Sequence, residues 1–174
     1  MSSEENISEA EAAAYVEDVV RRSGTSFYWA MRRLPEAKRR AMYAIYAFCR
    51  EVDDLADEPG AVDMKIAGLG LWRGEIERLF ADRPRTLVTK ALAGPVETFG
   101  LRKEDFRAVI DGTAQHAGGL RQRCDIERAL MIAQALVRRL VDDDAFASGN
   151  IDGVDSLART VIAQHHVLHH PANA

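Results

Sequence analysis

The apolar positions of this chain recur at helical spacing over most of its length, and no stretch of useful length alternates apolar and polar residues as a strand would. Residues 8–22 form an alanine-rich periodic segment, and a second helix is predicted to begin near Ser26 and run to about Leu34. Pro35 falls in the first turn of the next helix, about 36–58, because proline there loses no needed hydrogen bond. Pro59-Gly60 stops it. A helix over 61–81 is weakened by Gly68, Gly70 and Gly74 and broken by Arg83-Pro84. Two more follow: one at about 85–99, interrupted by Gly94-Pro95, and one at 102–111, opened by the acids Glu104 and Asp105. The predicted class is all-α, without an internal repeat. After Gly112 the character changes: Thr113 to Gly119 reads as a linker, followed by a helix from Asp125 to about Asp143 and a polar tail.

Composition adds little beyond this. With 174 residues, 47% hydrophobic and 7% aromatic, the chain can bury a real core and is neither disordered in bulk nor patterned as a membrane protein. A formal net charge of -4 gives no reason to expect nucleic acid, and the short basic cluster Lys38, Arg39, Arg40 reads as a solvated face. No run approaches the roughly 18 apolar residues of a spanning helix, and Met1 to Asp18 lacks the regions of a signal peptide, so cytoplasm is the expected location. Cys49 and Cys124 lack metal-ligand spacing and read as reduced thiols.

One cluster asks for chemistry. Glu51, Asp53, Asp54, Asp57 and Glu58 end the aromatic, apolar helix that Pro59-Gly60 closes. Asp53 and Asp57 are four apart and share a helix face, where like charges repel. The negative end of the helix dipole disfavours acids there by a further 0.3–1 kcal/mol or so each. A solvated acidic helix end is the plain reading. A hard divalent cation, Mg²⁺ above all, is the functional one, because it takes carboxylate oxygens and bridges them to phosphate.

The surroundings favour the second reading. Ser23-Gly24-Thr25-Ser26-Phe27-Tyr28-Trp29-Ala30-Met31, then Leu34-Pro35, Arg39-Arg40-Ala41, Tyr43 to Arg50 (Y-A-I-Y-A-F-C-R) and the acidic cluster, together resemble the squalene and phytoene synthase family. Within it, the chain is most similar to the bacterial presqualene diphosphate synthases of hopanoid biosynthesis. The resemblance continues through Leu71-Trp72-Arg73, Ala91 to Val96 and Phe99-Gly100-Leu101 to Val109-Ile110-Asp111-Gly112. It divides the chain into an N-terminal part at 8–112 and a tail at 113–174.

The resemblance implies a helical isoprenoid-synthase-like bundle, Mg²⁺, and head-to-head joining of two prenyl diphosphates, farnesyl or geranylgeranyl, as in squalene and carotenoid synthesis. Asp53 and Asp57 would hold the metal. Arg50 and Tyr46 would act at the diphosphate, and Ser23, Gly24, Thr25, Ser26 and Phe27 would help bind substrate. Each has a plainer reading: a helix cap for the serine segment, a core ring for Tyr46, and an (i, i+4) ion pair with Asp54 for Arg50. Many family members carry another serine where Gly24 stands. Their second aspartate-rich motif is not found after Gly112, so the bundle is expected to be incomplete and turnover weak or absent. Asp142-Asp143-Asp144 reads as a solvated helix end, and the pairs among His165, His166, His169 and His170 as adventitious metal ligands. Two alternatives stay open: a remnant that binds Mg²⁺ and diphosphate without turnover, and a non-catalytic helical interaction protein. Possible peripheral membrane contact is a further expectation, and oligomeric state is left undetermined.

Overall fold

A computed structural model describes residues 7–24, 27–57 and 59–117. Six helices follow in order: α1 (Glu9–Arg22), α2 (Phe27–Met31), α3 (Glu36–Asp57), α4 (Val62–Phe80), α5 (Leu87–Phe99) and α6 (Lys103–Ala117). No strand occurs among the described residues. The predicted helix at 125–143, the acidic triplet and the histidine pairs lie outside them.

Local chemistry sets each helix end. Ser8 and Glu11 form a reciprocal capping box at the start of α1, whose first turn is acidic and last turn basic, as the helix dipole favours. Pro35 directly precedes α3 rather than lying inside its first turn, and its carbonyl accepts the Arg39 N–H at 2.9 Å. At the end of α4, Asp82 takes the left-handed conformation with φ 58°. The Arg83 N–H then reaches back to the Arg78 carbonyl, and Asp82 N–H to that of Leu79. These bonds satisfy end carbonyls before Pro84, with aspartate where glycine is usual.

Two predicted interruptions are absent. α5 runs through Gly94-Pro95 to Phe99 although proline removes a hydrogen bond and crowds the preceding turn, at a cost of about 3 kcal/mol. Its Thr86–Thr89 capping box and the burial of Val88, Thr89 and Leu92 offset that cost. α6 likewise does not stop at 111. It passes Gly112 and takes in Thr113, because Val109, Ile110 and Thr113 continue one buried stripe.

α3 is the centre of the bundle. At about 33 Å long by helical rise, it touches every other helix. Residues 41–45, 47 and 48 are nearly all hidden from solvent. The Phe48 ring meets Trp72 of α4 and Phe106 of α6 edge-to-face, with centroids 5.4 and 5.2 Å apart. Gly68 lets α4 approach α3 closely: a Cβ there would lie 3.1 Å from a Leu55 methyl. α4 and α6 run antiparallel, as Arg73–Asp111 at 2.6 Å and Lys103–Glu77 at 3.0 Å show.

Candidate functional site

Tyr46, Arg50, Asp53 and Asp57 follow one another at spacings of four, three and four along α3, so one stripe carries them all. They differ in exposure. Tyr46 is half-buried against the core, Arg50 and Asp54 are about half exposed, Asp53 is half-buried, and Asp57, the last residue of α3, is exposed. Glu58 lies outside the described residues.

Asp53 is the electrostatic focus. Burial first, then the Asp57 carboxylate and to a lesser degree Asp54, push its carboxyl up to about 6. The Arg50 guanidinium and a hydrogen bond from Thr113 of α6 act in the opposite direction without cancelling the rise. Thr113 is buried. It was missed from sequence because helix α6 was expected to end two residues earlier, which placed Thr113 in a linker. Next to Asp53, burial and its charge raise the Cys49 thiol well above the usual range.

Arg50 forms the plainer pair foreseen for it, with Asp54 at 2.8 Å. The pair is exposed enough to add little stability. Glu51 turns to the other side of α3 and accepts the Tyr15 hydroxyl of α1 at 2.8 Å, a contact that pushes Tyr15 up to about 12. Burial raises the Glu51 carboxyl in turn. This link between α1 and the acidic end of α3 carries no sequence signature, because the partners are 36 residues apart.

Of the serine segment, Ser23 and Gly24 are described. Ser23 caps the C-terminus of α1, its hydroxyl donating to the Val20 carbonyl at 2.6 Å. Gly24 has φ +64°, a backbone state that other residues enter only with strain, so glycine suits the turn here. Thr25 and Ser26 lie outside the described residues, as does the Phe27 side chain. Among the described residues no group of three or more His, Cys, Asp or Glu side chains is gathered to hold a metal. What is present is a two-carboxylate pair. Such a pair suits Mg²⁺, which keeps several waters and takes one or two carboxylates beside substrate phosphates. The raised Asp53 carboxyl is what a half-buried acid shows when a like charge lies one turn away and cation charge is short. A separate groove, lined by Leu79, Phe80, Asp82, Ala93, Val96 and Glu97, contains none of these residues.

A presqualene diphosphate synthase of Sinorhizobium fredii is 45% identical over 103 residues, which are 59% of this chain and 37% of that protein. That of Zymomonas mobilis is 49% identical over 96 residues, 55% of this chain and 33% of the relative. A 15-cis-phytoene synthase of Synechococcus elongatus is 36% identical over 103 residues, covering 59% and 33%. The crystal structure of a dehydrosqualene synthase in complex with ligand superposes with a TM-score of 0.63 at 28% identity, over 76% of this chain and 47% of that one. The chain thus spans about a third of the length of these curated relatives. The squalene/phytoene synthase family profile matches residues 20–138, past the Gly112 at which the resemblance was taken to end. That match spans well over half of the chain, and with it the chain belongs to the squalene/phytoene synthase family.

Proposed function

We propose that this chain acts on prenyl diphosphates, farnesyl diphosphate first and geranylgeranyl diphosphate second, in a head-to-head condensation of the presqualene diphosphate, squalene or phytoene type. The observation that carries the reading is the placement of Asp53: half-buried, one turn from Asp57 and within reach of the Arg50 charge, on the central helix of a chain of this family.

Asp53 and Asp57 would hold Mg²⁺, which when bound supplies positive charge against the departing diphosphate. The remaining work falls to side chains. Arg50 would leave its pair with Asp54 and turn its fork of donors to the phosphate oxygens. Ser23 and Ser26, with the backbone between them, would orient the same group. Tyr46, one turn before Arg50, would present its hydroxyl to the diphosphate or its ring to a developing cation.

A second reading is binding without turnover. It is favoured by Arg50, whose guanidinium already has a carboxylate partner at 2.8 Å and must exchange it for phosphate. One series tests both. Unfolding temperature is measured with Mg²⁺, with inorganic diphosphate, and with both together. The same preparation is then incubated with labelled farnesyl diphosphate and its lipid extract analysed. A shift that needs both ligands supports the site. Product formation selects the synthase, and a shift without product selects the second reading. No shift and no product overturns both.

A further inference from the structure

Thr113 is a polar side chain in the apolar stripe that α6 turns to the core, buried beside Val109 and Ile110. The chemistry described so far gives it no part. Its level along the bundle follows from contacts made elsewhere on the same helices. Phe48 of α3 meets Trp72 of α4, and Leu55 lies against Gly68, so α3 and α4 run antiparallel. α6 is antiparallel to α4 as well, held by Lys103–Glu77 at 3.0 Å and Arg73–Asp111 at 2.6 Å. α3 and α6 therefore run in the same direction.

The Phe48 and Phe106 rings, with centroids 5.2 Å apart, set the register between these two helices. From that contact Asp53 stands five residues on in α3, about 7.5 Å by helical rise, and Thr113 seven residues on in α6, about 10.5 Å. Both side chains thus arrive at a similar level near the end of α3. There the Thr113 hydroxyl donates to the Asp53 carboxylate.

We propose that Thr113 is a positioning residue for the metal site, its hydroxyl holding the Asp53 carboxylate in a fixed orientation for the cation shared with Asp57. This role rests on the reading of Asp53 and Asp57 as metal ligands. A carboxylate has about four acceptor positions, so one donated bond leaves the others for the cation. Ordering the side chain before the metal arrives removes an entropic cost from binding. Threonine is stiff at χ1 and this one is buried, so the α6 backbone sets where its hydroxyl points. It also donates without carrying charge, and so orients the carboxylate without competing with the metal as a lysine would. Hydrogen-bond partners of metal-ligating carboxylates are typically worth 10- to 100-fold or so in metal affinity.

Two variants of the full chain separate positioning from packing. Thr113→Val removes the donor and keeps the side chain's bulk, whereas Thr113→Ser keeps the donor and gives up the methyl group. Unfolding temperature is followed as Mg²⁺ is titrated at fixed inorganic diphosphate. Thr113→Val should need roughly 10- to 100-fold more Mg²⁺ for the same shift, and Thr113→Ser should restore most of the original response. A residue that only packs would give the reverse order. The metal-free chain supplies an independent readout: the effects of Thr113→Val and Asp53→Ala on the urea midpoint should not add, because both remove one contact. Should Thr113→Val fail to fold, Thr113→Ala, which also lacks the donor, takes its place. An unchanged Mg²⁺ response in the variant without the donor, or additive urea effects, would overturn the positioning role alone. Absence of any Mg²⁺-dependent shift in the unaltered chain would overturn the metal-ligand reading and the positioning role with it.

Discussion

Asp53, the metal ligand proposed above, is a carboxylate that works against the fold. Its carboxyl is raised to about 6 from 3.8, so the folded chain holds this proton more tightly than the unfolded chain does. The sign follows: between about pH 4 and 6 this group lowers stability as pH rises, and its full penalty is present above 6. Without Mg²⁺, the chain should therefore melt at a higher temperature at pH 5 than Asp53 alone allows at pH 7, and Asp53→Asn should flatten that difference. At pH 7 the same substitution should leave the metal-free fold unchanged or more stable by on the order of 1 kcal/mol, while abolishing the joint effect of Mg²⁺ and diphosphate. Strong destabilisation by both Asp53→Asn and Asp57→Asn would mark the carboxylates as structural. Cys49 offers a second readout. Burial and the Asp53 charge hold its thiol protonated. In a Cys124→Ser background, a thiol reagent should react with Cys49 far more slowly before than after denaturation.

At the scale of elements, the helices tolerate residues that a propensity table would reject, each for its own reason. Gly68 and Gly70 stand two residues apart in α4 yet differ in what surrounds them. A Cβ at Gly68 would press on Leu55 at 3.1 Å, whereas a Cβ at Gly70 would meet nothing within 4 Å. Gly70→Ala should then gain the full helix-propensity difference, about 1 kcal/mol. Gly68→Ala should gain less, by as much as Leu55 must move. Urea unfolding of the two variants side by side checks the order, and a larger gain at Gly68 would contradict the close packing of α3 on α4.

For the whole molecule, stability and site share one support. Phe48 joins α3 to Trp72 of α4 and Phe106 of α6, and α6 also carries the Thr113 that reaches Asp53. Phe48→Ala should cost about 3–5 kcal/mol. In the same variant the Mg²⁺-dependent response to diphosphate should weaken, although Phe48 touches no ligand group. Urea unfolding and ligand titration on one sample check the pair of effects. With farnesyl diphosphate and Mg²⁺, turnover by this chain is expected to be slow, because the described residues supply one acidic cluster, and charge stabilisation of a leaving diphosphate acts mainly in the transition state. Ready formation of a labelled head-to-head product would refute this.

The helical periodicity, the capping residues and the stop at Pro59-Gly60 are local properties, and with the ordered motifs from Ser23 to Asp57 they were legible in the chain. The stripe of Tyr46, Arg50, Asp53 and Asp57 follows from spacing alone, since 3.6 residues per turn leaves no other arrangement on an unbroken helix. Tertiary structure decided what periodicity cannot express. Pro95 and Gly112 sit inside helices because burial of neighbouring apolar residues outweighs their local cost. Which acid of the cluster is half-buried depends on α6 lying against the end of α3, and that brings Thr113 to Asp53 across a separation of sixty residues. The pairing of Tyr15 with Glu51 and the gathering of Arg32, Arg39 and Tyr28 around Tyr43 likewise arise from helices meeting in space. Burial is set by such long-range contacts, and it acts together with the local Asp57 charge to raise the Asp53 carboxyl.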